Sequence, residues 1–212
     1  MLDYARKNTM ELLPIYSTPI WMSSLPDFEE HKELFLSCVR NFRNHNKSGE
    51  IKSNIGGYHS PSTLQGEAEL RPIFEYACEM ALQATQDLNF VTSDVFLTNA
   101  WVSFNDSRQC MNSQHTHGEV LSGVFYLNVP PESGKLVIIN PAINTLWSGC
   151  NLTQDKNQFT GENIKIEPEE GGFVLFPSYL PHSVETNNHD DERISISFNL
   201  MVFPKGQIPT AN

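Results

Sequence analysis

Ser122-Gly123-Val124-Phe125-Tyr126-Leu127-Asn128-Val129, the break Pro130-Pro131-Glu132-Ser133-Gly134, and then Lys135-Leu136-Val137-Ile138-Ile139 are the stretch that decides the fold class. Two runs rich in β-branched and aromatic residues flank a cluster of turn formers, which is the pattern of successive strands. The same alternation continues on both sides. Val95 to Phe104, Gly172 to Phe176 and Arg193 to Phe203 have strand composition, and Asn105-Asp106, Glu170-Gly171-Gly172 and Asn187-Asn188 separate them. Short strands at this spacing, with no helix between them, argue for an antiparallel sandwich or barrel. Asn144 to Pro168 is the least regular segment and reads as an insertion covering one mouth of the barrel.

Upstream of the strands the periodicity is helical. From Asp27 to His45, the residues Phe28, Leu34, Phe35, Cys38, Val39 and Phe42 recur on one face, with Pro26 and Asp27 supplying a start. From Gly66 to Leu88, the residues Leu70, Ile73, Phe74, Ala77, Ala81 and Ala84 form a second stripe. Both stripes are expected to pack on the outside of a sheet. Lys47 to Thr63 reads as a loop or short hairpin. The expected organisation is one domain over residues 1–212: a helical N-terminal part over 1–90 packing on the sheet, and a β core over 91–203.

The composition excludes several classes. Apolar residues at 39% and charged residues at 18% describe a globular chain of 212 residues, long enough to bury a core without staples. A formal net charge of -11 disfavours a nucleic-acid partner. Cys38, Cys78, Cys110 and Cys150 are widely spaced and read as reduced thiols. No apolar run is long enough to span a membrane, and the N-terminus does not resemble a signal peptide, so a cytoplasmic location is expected. The exposed helix faces leave room for a homodimer.

The chemistry-bearing residues lie among the strands. Gln114-His115-Thr116-His117-Gly118-Glu119 precedes one strand, and His182 follows another. An octahedral iron(II) site with one open face needs three protein ligands, and two imidazoles with one carboxylate meet that need. His117, Glu119 and His182 fit this template. Arg193 opens an apolar strand, an expensive place for a charge, and Ser195 two residues on shares its face. Together they can hold the carboxylate of a co-substrate. Tyr126 either reaches the same pocket or fills the barrel. Asn99 and Trp101 are candidates for the substrate side, and Trp147 for a lid. His31, His45, His59 and His189 are read as ordinary surface or core histidines.

Taken together, His115-Thr116-His117, Leu121 to Leu127, Ser133-Gly134-Lys135-Leu136, Asn140-Pro141, Gly172 to Ser178 with His182, and Arg193 to Asn199 resemble the 2-oxoglutarate/Fe(II) oxygenase family of marine bacteria and their phages. Ser53-Asn54-Ile55-Gly56-Gly57-Tyr58-His59-Ser60 and Ile15 to Ile20 extend the resemblance over nearly the whole chain. It implies a mainly β fold with flanking helices, a double-stranded β-helix of the jelly-roll, cupin-like kind. It also implies Fe(II), 2-oxoglutarate and O2, and hydroxylation of a small-molecule or peptide substrate with release of succinate and CO2. The resemblance puts His115 in the ligand set with His117 and His182, whereas the wider His-x-Asp/Glu pattern selects His117 and Glu119 instead. Arg193, Ser195 and Tyr126 are then expected around 2-oxoglutarate. Two other readings remain open at this point. One is a three-His metal dioxygenase that does not use 2-oxoglutarate, and the other is a non-catalytic β-helix module that binds a metal or ligand.

Overall fold

The computed structural model describes residues 17–91, 93–106, 111–142, 157 and 160–207. Two antiparallel sheets face each other. The first holds six strands in the order β1 (Trp21–Ser24), β9 (Gly172–Pro177), β6 (Leu121–Asn128), β11 (Arg193–Pro204), β4 (Ser93–Asn105) and β3 (Tyr58–His59). The second holds β2 (Asn54–Ile55), β5 (Met111–His115), β10 (His182–Val184), β7 (Leu136–Ile139) and β8 (Asn163–Ile166). Helices α1 (Phe28–His45) and α2 (Arg71–Asp87) pack on the outer face of the first sheet. This is the double-stranded β-helix with flanking helices.

Side-chain alternation builds two cores. Phe125, Leu127, Phe173, Leu175, Ile194, Ile196, Phe198 and Leu200 point outward to the helices. Val124, Tyr126, Val174 and Phe176 point inward to meet Leu136, Ile138 and Ile166 of the second sheet. The first sheet is therefore covered on both faces, which is why β6 and β9 read as nearly continuous apolar runs.

Several expectations are adjusted. Leu34 does not join the buried stripe of α1 but is half exposed, and Leu36 takes its place. Two short 3-10 turns, Leu64–Gly66 and Ala68–Leu70, replace the first part of the expected second helix, which begins at Arg71 with Pro72 in its first turn. Asn105 ends β4 rather than starting a turn. The Lys47–Thr63 loop is not a hairpin: β2 pairs with β5, β3 pairs with β4, and the chain crosses between sheets at Gly56 and Gly57, both at positive φ (72° and 60°). Of the expected insertion, Asn163–Ile166 forms an edge strand, while Trp147 lies outside the described residues. Cys38 and Cys78 are free thiols; Cys110 and Cys150 also lie outside the described residues. Among the described residues no helix is long and apolar enough to cross a membrane.

Candidate active site

Three imidazoles converge between the sheets. His115 ends β5, His182 begins β10, and the two are direct cross-strand partners. His117 lies in the loop that follows, where its backbone N–H donates to the Ser178 carbonyl at 3.1 Å. Ring centroids are 4.2 Å apart for His115 and His182, 5.0 Å for His115 and His117, and 5.6 Å for His117 and His182. One nitrogen from each ring lies within 4.8 Å of the others.

The chemistry of this donor set suits a metal ion. Ligating imidazoles must be neutral, and burial pushes His182 down to about 4, with the neighbouring His115 acting in the same direction. Burial also lowers His117, while Glu119 opposes that shift. The Nδ1 of His182 lies 2.9 Å from the Leu180 carbonyl, which can only accept, so Nδ1 carries the proton and Nε2 keeps a free lone pair. Phe176 meets the His182 ring edge-on at 4.8 Å, and Trp101 leans on His117 at 5.6 Å.

Glu119 is not in this cluster. Its carboxylate accepts a hydrogen bond from Asn99 Nδ2 at 3.1 Å. The structure thus brings His115, and not Glu119, to His117 and His182.

Arg193, the first residue of β11, is only 2% exposed. Its guanidinium donates to the carbonyls of Ser133 and Gly134, both at 3.0 Å, and to Asn105 Oδ1 at 2.9 Å. All three acceptors are neutral. Gly134 sits at φ +89°, and a Cβ there would collide with the Glu185 backbone, so only glycine keeps this carbonyl in place. Ser195 pairs with Ser103 on one side and Tyr126 on the other. Burial pushes the Tyr126 phenol up to about 12 against the opposing charge of Arg193, so the hydroxyl keeps its proton and can donate. His115, His117, His182, Arg193, Ser195 and Tyr126 line one cavity.

Some residues of the site were not singled out by sequence reasoning. Asn105 and the Ser133 and Gly134 carbonyls hold Arg193, yet in the sequence they look like ordinary turn formers. His59 is buried and stacked on Trp101 at 5.3 Å; its only signal was its place in the Gly-Gly-Tyr-His-Ser element. Ser122 and Asn199 line the cavity and carried no signal beyond lying in apolar strands.

Residues 99–199 match the model of a family described as "Putative 2OG-Fe(II) oxygenase". That family implies Fe(II), 2-oxoglutarate and O2, and the match supports an oxidoreductase. No curated protein matches the chain. Among solved structures, the chain is similar to a Pseudomonas putida prolyl-4-hydroxylase (17% identity, 86% of this chain and 93% of that one, TM-score 0.59). It is also similar to SnoK, a non-haem α-ketoglutarate-dependent carbocyclase from nogalamycin biosynthesis (13%, 90% and 84%, TM-score 0.63). A third is a Trichoplax adhaerens prolyl hydroxylase in complex with a hypoxia inducible factor peptide fragment (15%, 86% and 83%, TM-score 0.58). At these identities the likeness is one of fold.

Proposed function

We propose that this protein is a 2-oxoglutarate- and Fe(II)-dependent dioxygenase that hydroxylates a small-molecule or peptide substrate. The observation that carries the reading is the placement of a three-imidazole cluster and a buried arginine in one cavity. His115, His117 and His182 would hold the iron. Iron(II) bound there supplies the redox chemistry that couples O2 to the oxidative decarboxylation of 2-oxoglutarate, with release of succinate and CO2.

The chain's own residues do the rest. The Arg193 guanidinium holds the far carboxylate of 2-oxoglutarate, and the Ser195 and Tyr126 hydroxyls donate to it. The carbonyls of Ser133 and Gly134 keep the guanidinium from turning. Phe176 and Trp101 pack against the imidazoles and exclude water from them. That two of the fold relatives are prolyl hydroxylases, one of them with a peptide bound, keeps a peptide substrate within the proposal.

An all-imidazole donor set also suits a metal dioxygenase that does not use 2-oxoglutarate; in that reading Arg193 only ties the Ser133 and Gly134 carbonyls to Asn105. The test is succinate formation by the purified protein with iron(II), ascorbate and 2-oxoglutarate, beside Arg193→Ala, together with calorimetric binding of 2-oxoglutarate to the metal-loaded protein. Binding that Arg193→Ala abolishes supports the proposal. Neither succinate nor binding overturns it.

A further inference from the structure

The inward-facing residues of β11 are Arg193, Ser195, Ser197 and Asn199, and all four line the cavity. At ~3.3 Å per residue, Arg193 and Asn199 stand ~20 Å apart along the strand. A five-carbon diacid anchored on Arg193 falls well short of that. Trp101, which leans on His117, pairs with Ser197. The imidazoles therefore lie toward the Asn199 end, and Asn199 faces a part of the cavity that the co-substrate does not fill.

This end is built around a directed chain of hydrogen bonds. Asn99, Asn199 and Ser122 sit side by side on β4, β11 and β6. Asn99 Nδ2 donates to Glu119 Oε1 at 3.1 Å and to Thr98 Oγ1 at 3.3 Å. Asn99 must therefore turn its Oδ1 to Asn199, whose Nδ2 donates to it at 2.9 Å. That leaves Asn199 Oδ1 to accept from Ser122 Oγ at 2.7 Å. The one hydrogen of Ser122 is then used, so in its 2.8 Å contact with Ser178 the Ser178 hydroxyl is the donor. Each donor points toward Glu119, an acceptor-only carboxylate with no ion-pair partner among the described residues. Asn199, at 2% exposure, keeps one N–H and one lone pair beyond these bonds.

We infer that Glu119 is a positioning residue which, through Asn99, fixes the amide of Asn199 as the group that recognises the primary substrate, and that it recognises a carboxamide. A carboxamide offers the acceptor and donor that match the remaining N–H and lone pair of Asn199. A carboxylate offers no donor and would approach a wall already polarised by Glu119. This inference names the substrate chemistry of the site proposed above and rests on that reading.

The test uses the full chain loaded with zinc(II) and 2-oxoglutarate, reading zinc affinity and the side-chain amide resonances of Asn199 by NMR. In Glu119→Ala the Asn199 resonances shift and in Glu119→Gln, which keeps an acceptor, they return, with zinc affinity unchanged in both. Acetamide then shifts the Asn199 resonances saturably and acetate does not. Loss of zinc affinity in both variants makes Glu119 a ligand and overturns the inference. So do Asn199 resonances that Glu119→Ala leaves unmoved, or no response to acetamide, or an equal response to acetate. Failure of 2-oxoglutarate to shift Arg193 or Tyr126 is a separate result that overturns the oxygenase reading.

Discussion

His182 stands directly opposite His115 in the ladder between β10 and β5, with ring centroids 4.2 Å apart. The pairing of two short strands thus sets the spacing of two imidazoles, and His117 completes the triangle from the adjoining loop. In the metal-free protein, burial makes His182 and His117 costly to protonate. Metal binding is therefore expected to tie the two strands together. Iron(II) or zinc(II) at a hundredfold its dissociation constant should raise unfolding stability by about 2.7 kcal/mol. His115→Ala and His182→Ala should each abolish that increment, as read by urea titration with and without metal.

Arg193 gives a prediction that separates charge from shape. Arg193→Lys keeps a cation at the start of β11 but loses the fork that reaches the Ser133 and Gly134 carbonyls and Asn105 together. Binding of 2-oxoglutarate should weaken by at least about tenfold, because bidentate carboxylate recognition is lost. Arg193→Met should go further, abolishing binding and destabilising the fold by about 1–3 kcal/mol for each carbonyl left without a donor. Calorimetry on the zinc-loaded protein and urea unfolding measure the two effects independently.

The position of Gly134 is tested without touching a polar side chain. Its φ of +89° and its contact with the Glu185 backbone leave no room for a methyl group. Gly134→Ala should cost about 1–3 kcal/mol in urea unfolding from backbone strain alone. It should also weaken 2-oxoglutarate binding, because the Gly134 carbonyl that steadies Arg193 must move. Gly66→Ala, where the added Cβ meets nothing within 4 Å, is the matched control and should leave binding unchanged.

How much of this was legible in the sequence depended on which sheet a segment joined. Strands β6, β9 and β11 are covered on both faces, so their apolar runs were clear to within a residue or two. The two helices were visible from stripes such as Ile73, Phe74, Ala77 and Ala81. The second sheet was less visible. Met111–His115, Asn163–Ile166 and His182–Val184 are short, and two of them carry polar site residues where a core strand would carry aliphatic ones. Trp21–Ser24 is a strand of four residues that, among the described residues, pairs with β9 alone. At the site, His117 and His182 stood out by their order and spacing, and Arg193 because a charge is rare in an apolar strand. Which of His115 and Glu119 lies beside His117 and His182 was not legible, since a two-residue step from His117 in either direction does not fix which side chain turns inward. Ser122 and Asn199 were hidden because serine and asparagine within a strand have no signature until the facing residues are known.

The packing of α1 and α2 on the first sheet bears on how the protein unfolds. Phe125, fully buried on the outward face of β6, meets Phe28 of α1 edge-on at 5.7 Å and Phe173 of β9 at 4.6 Å. Among the described residues the outer face of the first sheet, the two helices and the turn residues Leu64 and Leu70 share one continuous core. Neither part can shed the other without exposing its core, so the two should unfold as one unit. Helical circular dichroism and tryptophan fluorescence should give coincident urea transitions. Phe125→Ala should lower both midpoints together, at a cost of about 3–5 kcal/mol. Separate transitions, or a shift in the helical signal alone, would show that the N-terminal part is an independent unit docked on a self-sufficient β-helix.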